Sequence, residues 1–135
     1  MKIVDVRELA VPLQGQIANA VVNFAEHDVS LLAVVTDVIH HGRPLVGLAF
    51  NSIGRFAQSG ILRQRMLPRL RQADPQSLLA STGDRWDPER VLACALRNEK
   101  PAGHGDRAGA AAAIELAVWD LNAKLADEPA WATMA

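Results

Sequence analysis

A single cysteine, Cys94, stands in the whole chain. With one thiol there is no intrachain disulfide and no cysteine-rich zinc site. Long apolar runs are missing as well. No stretch reaches the roughly 18 consecutive apolar residues that a membrane-spanning helix needs. The opening MKIVDVREL alternates charged residues with Val and Ile and lacks the continuous apolar core of a signal peptide. An excess of charge of one sign is also absent. Fourteen Lys and Arg face 15 Asp and Glu, a net charge of -1, whereas a nucleic-acid partner wants a clearly basic face. What is there is the composition of a folded domain. Half the residues are hydrophobic and 21% are charged, which excludes a disordered chain. The 135 residues suit one domain. The expectation is a cytoplasmic domain with neither a membrane nor a nucleic-acid partner.

The first 50 residues read as strand. From Lys2 to Leu13, Val4 and Val6 alternate with Asp5 and Arg7, the period of a half-buried strand. The phase then shifts to Leu9, Val11 and Leu13, so a bulge is expected near Glu8, with Pro12 close to the strand end. Val29 to Ile39 is a second run, rich in β-branched residues. His40 to Pro44 reads as a five-residue turn into a third strand, Leu45 to Phe50, giving an antiparallel hairpin. Between the first two strands lies a polar segment, Gln14 to Asp28, long enough to carry function.

The remainder reads as helix. Ile61, Leu62, Met66 and Leu70 share a face, and Pro68 is expected to kink or end that segment. Asp74-Pro75 and Asp87-Pro88 are helix starts, with Asp as N-cap and Pro in the first helical position. The second of these helices carries Val91, Leu92, Ala95 and Leu96, with Cys94 beside them as a small buried residue. Asp106 or Arg107 opens the strongest helix, through Asp127, with Ile114, Val118, Leu121 and Leu125 as its stripe. Its flat Ala110–Ala113 stretch invites close packing. The fold class is α+β, a three-stranded antiparallel sheet followed by a bundle of three to four helices.

Several patterns imitate chemistry. GHGDRAG, residues 103–109, has the glycines of a dinucleotide fingerprint, but no apolar strand precedes it and no parallel strand follows. His40 and His41 are adjacent and would point to opposite sides of an extended chain, so they are not expected to chelate one ion. His27 and His104 lack partners at ligand spacing, and no metal site is expected in this chain. Arg63, Arg65, Arg69 and Arg71 read as a solvated helix face, or as arginines pairing with a neighbouring domain or subunit. Two segments are more ambiguous. Phe50 to Phe56 leaves a strand directly, and Lys100 to Arg107 precedes the last helix. Each combines glycine with amide, hydroxyl or charged groups, a mixture that suits a small polar ligand as well as a turn with a helix cap.

At these residues the sequence resembles the N-terminal capping domain of the mandelate racemase/muconate lactonizing branch of the enolase superfamily. The resemblance runs through MKIVDVRE, SLLAVVTDV, GLAFNSIGRF, NEKPAGHGDR and IELAVWDLNAKLADEPAW. The WDLNAK helix is shared widely across the branch and identifies the fold. The FNSIGRF and NEKPAGHGDR segments are more specific and point to its acid-sugar dehydratases. The resemblance implies that residues 1–127 cap a (β/α)7β-barrel and that residues 128–135 begin the linker into it. It further implies dehydration of a small dicarboxylic hydroxy-acid, a 2,3-dihydroxy diacid. The barrel supplies a Lys base from a Lys-x-Lys motif, a His on the opposite side, and three carboxylates for Mg2+.

Carried over by the resemblance, Asn19, Asn51 and Lys100 are substrate-binding positions, while Arg55 and His104 shape their loops. Amides bond to hydroxyls or carboxylates, and a Lys supplies positive charge for a carboxylate. No Lys-x-Lys motif occurs in this chain, and a barrel alone needs about 250 residues. The chain is therefore expected to be a fragment with no catalytic residue of its own. It would act with the missing barrel domain in a parent that is a homo-oligomer. The alternatives are a free-standing α+β interaction module or pseudoenzyme remnant, and the cap of another acid-sugar dehydratase or racemase of the superfamily.

Overall fold

The computed structural model describes residues 1–51, 56–100 and 105–135. Arg55 and His104 lie outside the described residues. Strands β1 (Ile3–Pro12), β2 (Asp28–His40) and β3 (Arg43–Phe50) form one antiparallel sheet in the order β1-β2-β3. Helical residues follow. The short α1 (Ser59–Ile61) runs through a π-helical turn (Leu62–Met66) into α2 (Leu67–Arg71). After a 3-10 turn (Pro75–Leu78) come α3 (Pro88–Ala95), the long α4 (Gly105–Leu125) and the short α5 (Ala130–Thr133). The α+β architecture is the one the sequence pattern implies. No helix among the described residues is long and apolar enough to cross a membrane.

Side chains alternate across the sheet because successive strand residues face opposite sides. Val6, Leu32 and Val34 are fully buried on the inner face against the helices. The expected bulge near Glu8 is absent. β1 pairs without interruption from Asp5 to Pro12, and its register shifts between Ile3 and Asp5 instead. The apolar phase changes there for a different reason. Glu8 occupies the inner face in the phase of Val6, which puts Leu9 and Val11 on the outer face. Leu9 lies opposite Leu31, and Leu31 opposite Phe50, so one apolar row crosses the outer surface.

The hairpin connection is two residues long rather than five. His40 pairs with Arg43, and the intervening His41 and Gly42 have φ of +49° and +75°. Positive φ at both central residues is the tight-turn geometry whose twist matches the flanking strands. Pro68 does not end its helix. In the π turn just before it, the Leu67 amide reaches back five residues to the Leu62 carbonyl, which widens the coil where the proline ring would crowd a regular turn. Asp87 caps α3 by accepting from the amides of Glu89 (3.0 Å) and Arg90 (3.2 Å), as the Asp-Pro pattern predicts. Asp74 does the same for a single 3-10 turn.

The helix α4 lies across the inner face of β2 and β3. Ala110, Ala113 and Ala117 are fully buried, and the sheet meets them with Gly47, whose missing side chain admits the helix backbone. The core closes around Trp86, Leu62, Met66, Ile114 and Leu121.

Candidate functional site

Three segments converge at the end of the sheet opposite the hairpin: the polar loop between β1 and β2, the residues after β3, and the start of α4. The first two touch directly. The His27 ring stacks on Phe56 with centroids 4.1 Å apart, and the Ala57 amide donates to the Asp28 carboxylate at 2.6 Å. Phe56 holds φ +57°, a costly backbone state for a bulky residue. The third segment joins through Gln58, which is buried and places its Nε2 3.5 Å from the Asp106 carboxylate.

A polar core supports this junction from below. The Glu8 side chain is completely enclosed, yet Arg63 Nε donates to one carboxylate oxygen at 2.5 Å. The hydroxyls of Ser30 and Ser59 donate to the other at 2.7 and 2.8 Å. Ser30 Oγ in turn accepts from the Gln58 amide at 2.8 Å. A buried charge persists only when paired and hydrogen-bonded in this way. Nothing in the strand pattern marks Glu8 as functional; the signal available was an acid in the inward phase of Val6.

The three residues carried over by resemblance have different surroundings. Asn19 is exposed, and its side-chain oxygen accepts from the amides of Val21 and Val22 at 2.9 and 2.8 Å. It builds the tip of its own loop and keeps its amide hydrogens for solvent. Asn51 is 2% exposed. Its Oδ1 accepts from the Ser30 amide and its Nδ2 donates to the Phe56 carbonyl, both at 2.7 Å. It braces the segment after β3, and a primary amide so used retains one hydrogen. Asn51 also lines an apolar groove of about 520 Å3 between β3 and α4. Lys100 is exposed at the edge of the described residues. No hydrogen bond links the side chains of these three among the described residues.

Lys100 follows a rigid base. The Glu99 carboxylate gathers Arg65, Arg69 (2.8 Å) and Arg107 (3.5 Å). Arg63 is held by Glu8, and Arg71 by Asp5 at 3.2 Å and by the Val6 carbonyl. The four-arginine stretch is therefore paired within the domain, although the side chains of Arg63, Arg65 and Arg71 stay about half exposed. It ties the π turn and α2 to β1 and to residues 95–99 of the same domain. Bonds from Arg65 and then Arg69 hold the Glu99 pKa down to about 2. A folded-state pKa below the unfolded value adds stability at neutral pH that is lost on acidification. Wild type is thus expected to exceed Glu99→Gln in melting temperature above about pH 5, near the unfolded pKa. The gap should close as pH falls towards about 2. Melting curves across that range check it, and a constant gap would speak against the pairing.

The WDLNAK motif places three clamps on α4. Asp120 accepts from the Leu48 amide (2.7 Å) and from Lys124 Nζ (2.6 Å), and Lys124 also donates to the Val46 carbonyl (2.9 Å). Asn122, buried, accepts from the Trp86 amide at 3.1 Å and donates to the Trp86 carbonyl at 2.8 Å. These residues fix the helix to β3 and to the turn before α3.

At the hairpin end the structure corrects one expectation. His40 and His41 do not diverge. Because His41 has positive φ, its ring swings back beside His40, with centroids 4.1 Å apart. Both Nε2 atoms lie on one oxygen of Asp127, at 2.9 and 2.7 Å. Cys94 is half-buried rather than enclosed, and its thiol donates to the Arg69 carbonyl at 3.6 Å. Burial pushes its pKa up, away from thiolate chemistry.

This arrangement of sheet and helices is similar to the crystal structure of a mandelate racemase/muconate lactonizing enzyme-like protein from Rubrobacter xylanophilus. The TM-score is 0.54 at 19% identity, over 96% of this chain and 32% of that one. The likeness is one of fold. This chain spans about a third of the length of the protein it matches. No protein-family model matches the sequence. The solved structure thus agrees with the α+β fold expected from the sequence.

Proposed function

We propose that the chain is the capping domain of an acid-sugar dehydratase of the mandelate racemase/muconate lactonizing type, whose substrate is D-tartrate and whose products are oxaloacetate and water. The observation that carries the reading is the match of nearly this whole chain to about a third of a longer mandelate racemase/muconate lactonizing enzyme-like protein. The substrate rests on the resemblance of FNSIGRF and NEKPAGHGDR to D-tartrate dehydratase. In this reading residues 1–127 are the cap, residues 128–135 lead into a (β/α)7β-barrel, and the parent is a cytoplasmic homo-oligomer.

Two surface features support a barrel partner and a substrate at the loop end. Leu9, Leu31, Leu48 and Phe50 expose 59%, 39%, 49% and 55% of their surface. An apolar face of this kind marks a surface meant to be covered. Lys100 is exposed, so its ammonium is available to a substrate carboxylate. The free amide group of Asn19 and the remaining hydrogen of Asn51 are neutral donors suited to hydroxyls. The described residues hold no set of carboxylates that fits Mg2+, a hard ion that prefers oxygen ligands. In the proposed parent that ion belongs to the barrel, and this chain supplies binding and exclusion of water only.

The 135-residue chain alone is expected to form no oxaloacetate from D-tartrate and Mg2+. Joined to its barrel it is expected to do so. There, Lys100→Ala is expected to lower kcat/KM for D-tartrate by about ten- to a hundredfold, the loss of one charge-assisted hydrogen bond. Turnover by the isolated chain, or an unaffected Lys100→Ala enzyme, would overturn the reading. A preference for a different acid sugar would overturn the substrate while keeping the cap.

A further inference from the structure

Two imidazoles and a carboxylate converge at the hairpin end of the domain, at the other end of β3 from Asn51. Their ligand atoms all lie within 4.8 Å of one another. His40 and His41 come from the tight turn, while Asp127 follows α4, 86 positions after His41. His41 and Asp127 both hold positive φ, +49° and +54°. The side chains of His41 and Asp127 are 73% and 60% exposed, and that of His40 is 23% exposed. Approach from solvent is therefore open. The three residues line a cavity of about 610 Å3 shared with Arg43, Lys124 and Glu128. The Lys124 charge is already matched by Asp120 at 2.6 Å.

We propose that His40, His41 and Asp127 form a binding site for a divalent transition metal of the Zn2+ class. The donor set decides the class. Two neutral imidazoles and one carboxylate suit Zn2+, Co2+ or Ni2+, whereas Mg2+ and Ca2+ take oxygen ligands. The geometry needs little adjustment. Ligand atoms around a tetrahedral ion with bonds of about 2.0–2.1 Å lie about 3.4 Å apart, and the two Nε2–Oδ1 separations are 2.9 and 2.7 Å. Opening these two separations by about 0.5–0.7 Å matches that ligand geometry. Each ring binds through Nε2, with Nδ1 carrying the remaining ring proton. Three protein ligands leave a fourth position for water. The bound ion clasps the β2–β3 turn to the C-terminal end of α4. An ion that binds the folded state alone raises its stability. The inference does not depend on the dehydratase reading, since the site uses none of the residues of the loop end.

Calorimetric titration of the 135-residue chain with Zn2+ tests it, with circular dichroism confirming that each variant keeps its fold. One ion per chain is expected. His41→Ala and Asp127→Asn, both substitutions of exposed side chains, are each expected to weaken binding by at least about tenfold, the lower end of what even an outer-shell change costs. Cys94→Ser and His104→Ala should leave the affinity unchanged. Co2+ in place of Zn2+ is expected to show visible d–d absorption that disappears in Asp127→Asn. The proposal is overturned if the combined His41→Ala, Asp127→Asn variant binds Zn2+ as tightly as wild type, if Cys94→Ser removes binding, or if Mg2+ competes equally with Zn2+.

Discussion

Gly47→Ala is expected to lower the thermal midpoint by about 10 °C, corresponding to a loss of about 3 kcal/mol for a domain of this size. A Cβ on Gly47 would sit 2.1 Å from the Ala117 carbonyl oxygen and 2.6 Å from Leu121 Cγ. The first of these is backbone, so no rotamer change relieves it. Either α4 lifts from the sheet, uncovering the alanine face it buries, or β3 bends away. Overpacking of a well-filled core commonly costs about 1–3 kcal/mol, and a backbone obstacle belongs at the upper end of that range. Gly60→Ala is the matched control. A Cβ there meets nothing within 4 Å, and Ala in place of Gly in a helix gains up to about 1 kcal/mol. Thermal melts of the two variants check both signs. A Gly47→Ala protein as stable as wild type would mean that α4 does not lie this close to the sheet.

Asn122→Ala is expected to cost about 3 kcal/mol in urea unfolding, because the side chain satisfies two buried backbone groups at once. Its oxygen serves the Trp86 amide and its nitrogen the Trp86 carbonyl, while the Trp86 side chain is fully buried. Alanine leaves both groups without partners, at about 1–3 kcal/mol for each unsatisfied group. Asn122→Asp restores the acceptor but places a carboxylate against a carbonyl in a buried site, so it is expected to be no better. The two substitutions separate hydrogen bonding from packing, since Asp has nearly the shape of Asn. A stability loss in Ala with full rescue by Asp would assign the effect to volume and remove the clamp argument.

Much of the architecture was legible because it rests on local rules. Strand alternation, the Asp-Pro helix starts and the apolar stripe of α4 each depend on residues a few positions apart, and all three appear in the structure. Local rules failed where a distant residue changed the outcome. The shift of phase at Glu8 reads as a bulge until Arg63 and Ser59, more than 50 residues away, allow a carboxylate to face inward. The ion pairs of the four arginines were invisible because their partners, Glu8, Glu99 and Asp5, lie on other elements. The two histidines read as divergent because that judgement assumed an extended backbone, and the positive φ of His41 belongs to a tight turn that the five-residue estimate had blurred.

The candidate site divides in the same way. Residue type marked Asn19, Asn51 and Lys100, but type cannot say which hydrogen bonds a side chain has already made. Packing turns Asn51 into a brace, leaves Lys100 free at the surface and gives Asn19 a loop to shape. The amino-acid order alone was enough for the α+β class, the lack of an intrachain disulfide and the lack of a long apolar run, since composition and short-range periodicity control those properties. The contacts that unite the loop end around Glu8, and the meeting of His40 and His41 with Asp127, needed the folded chain. Each joins residues far apart in sequence, and only the closing of the sheet under α4 brings them within bonding distance.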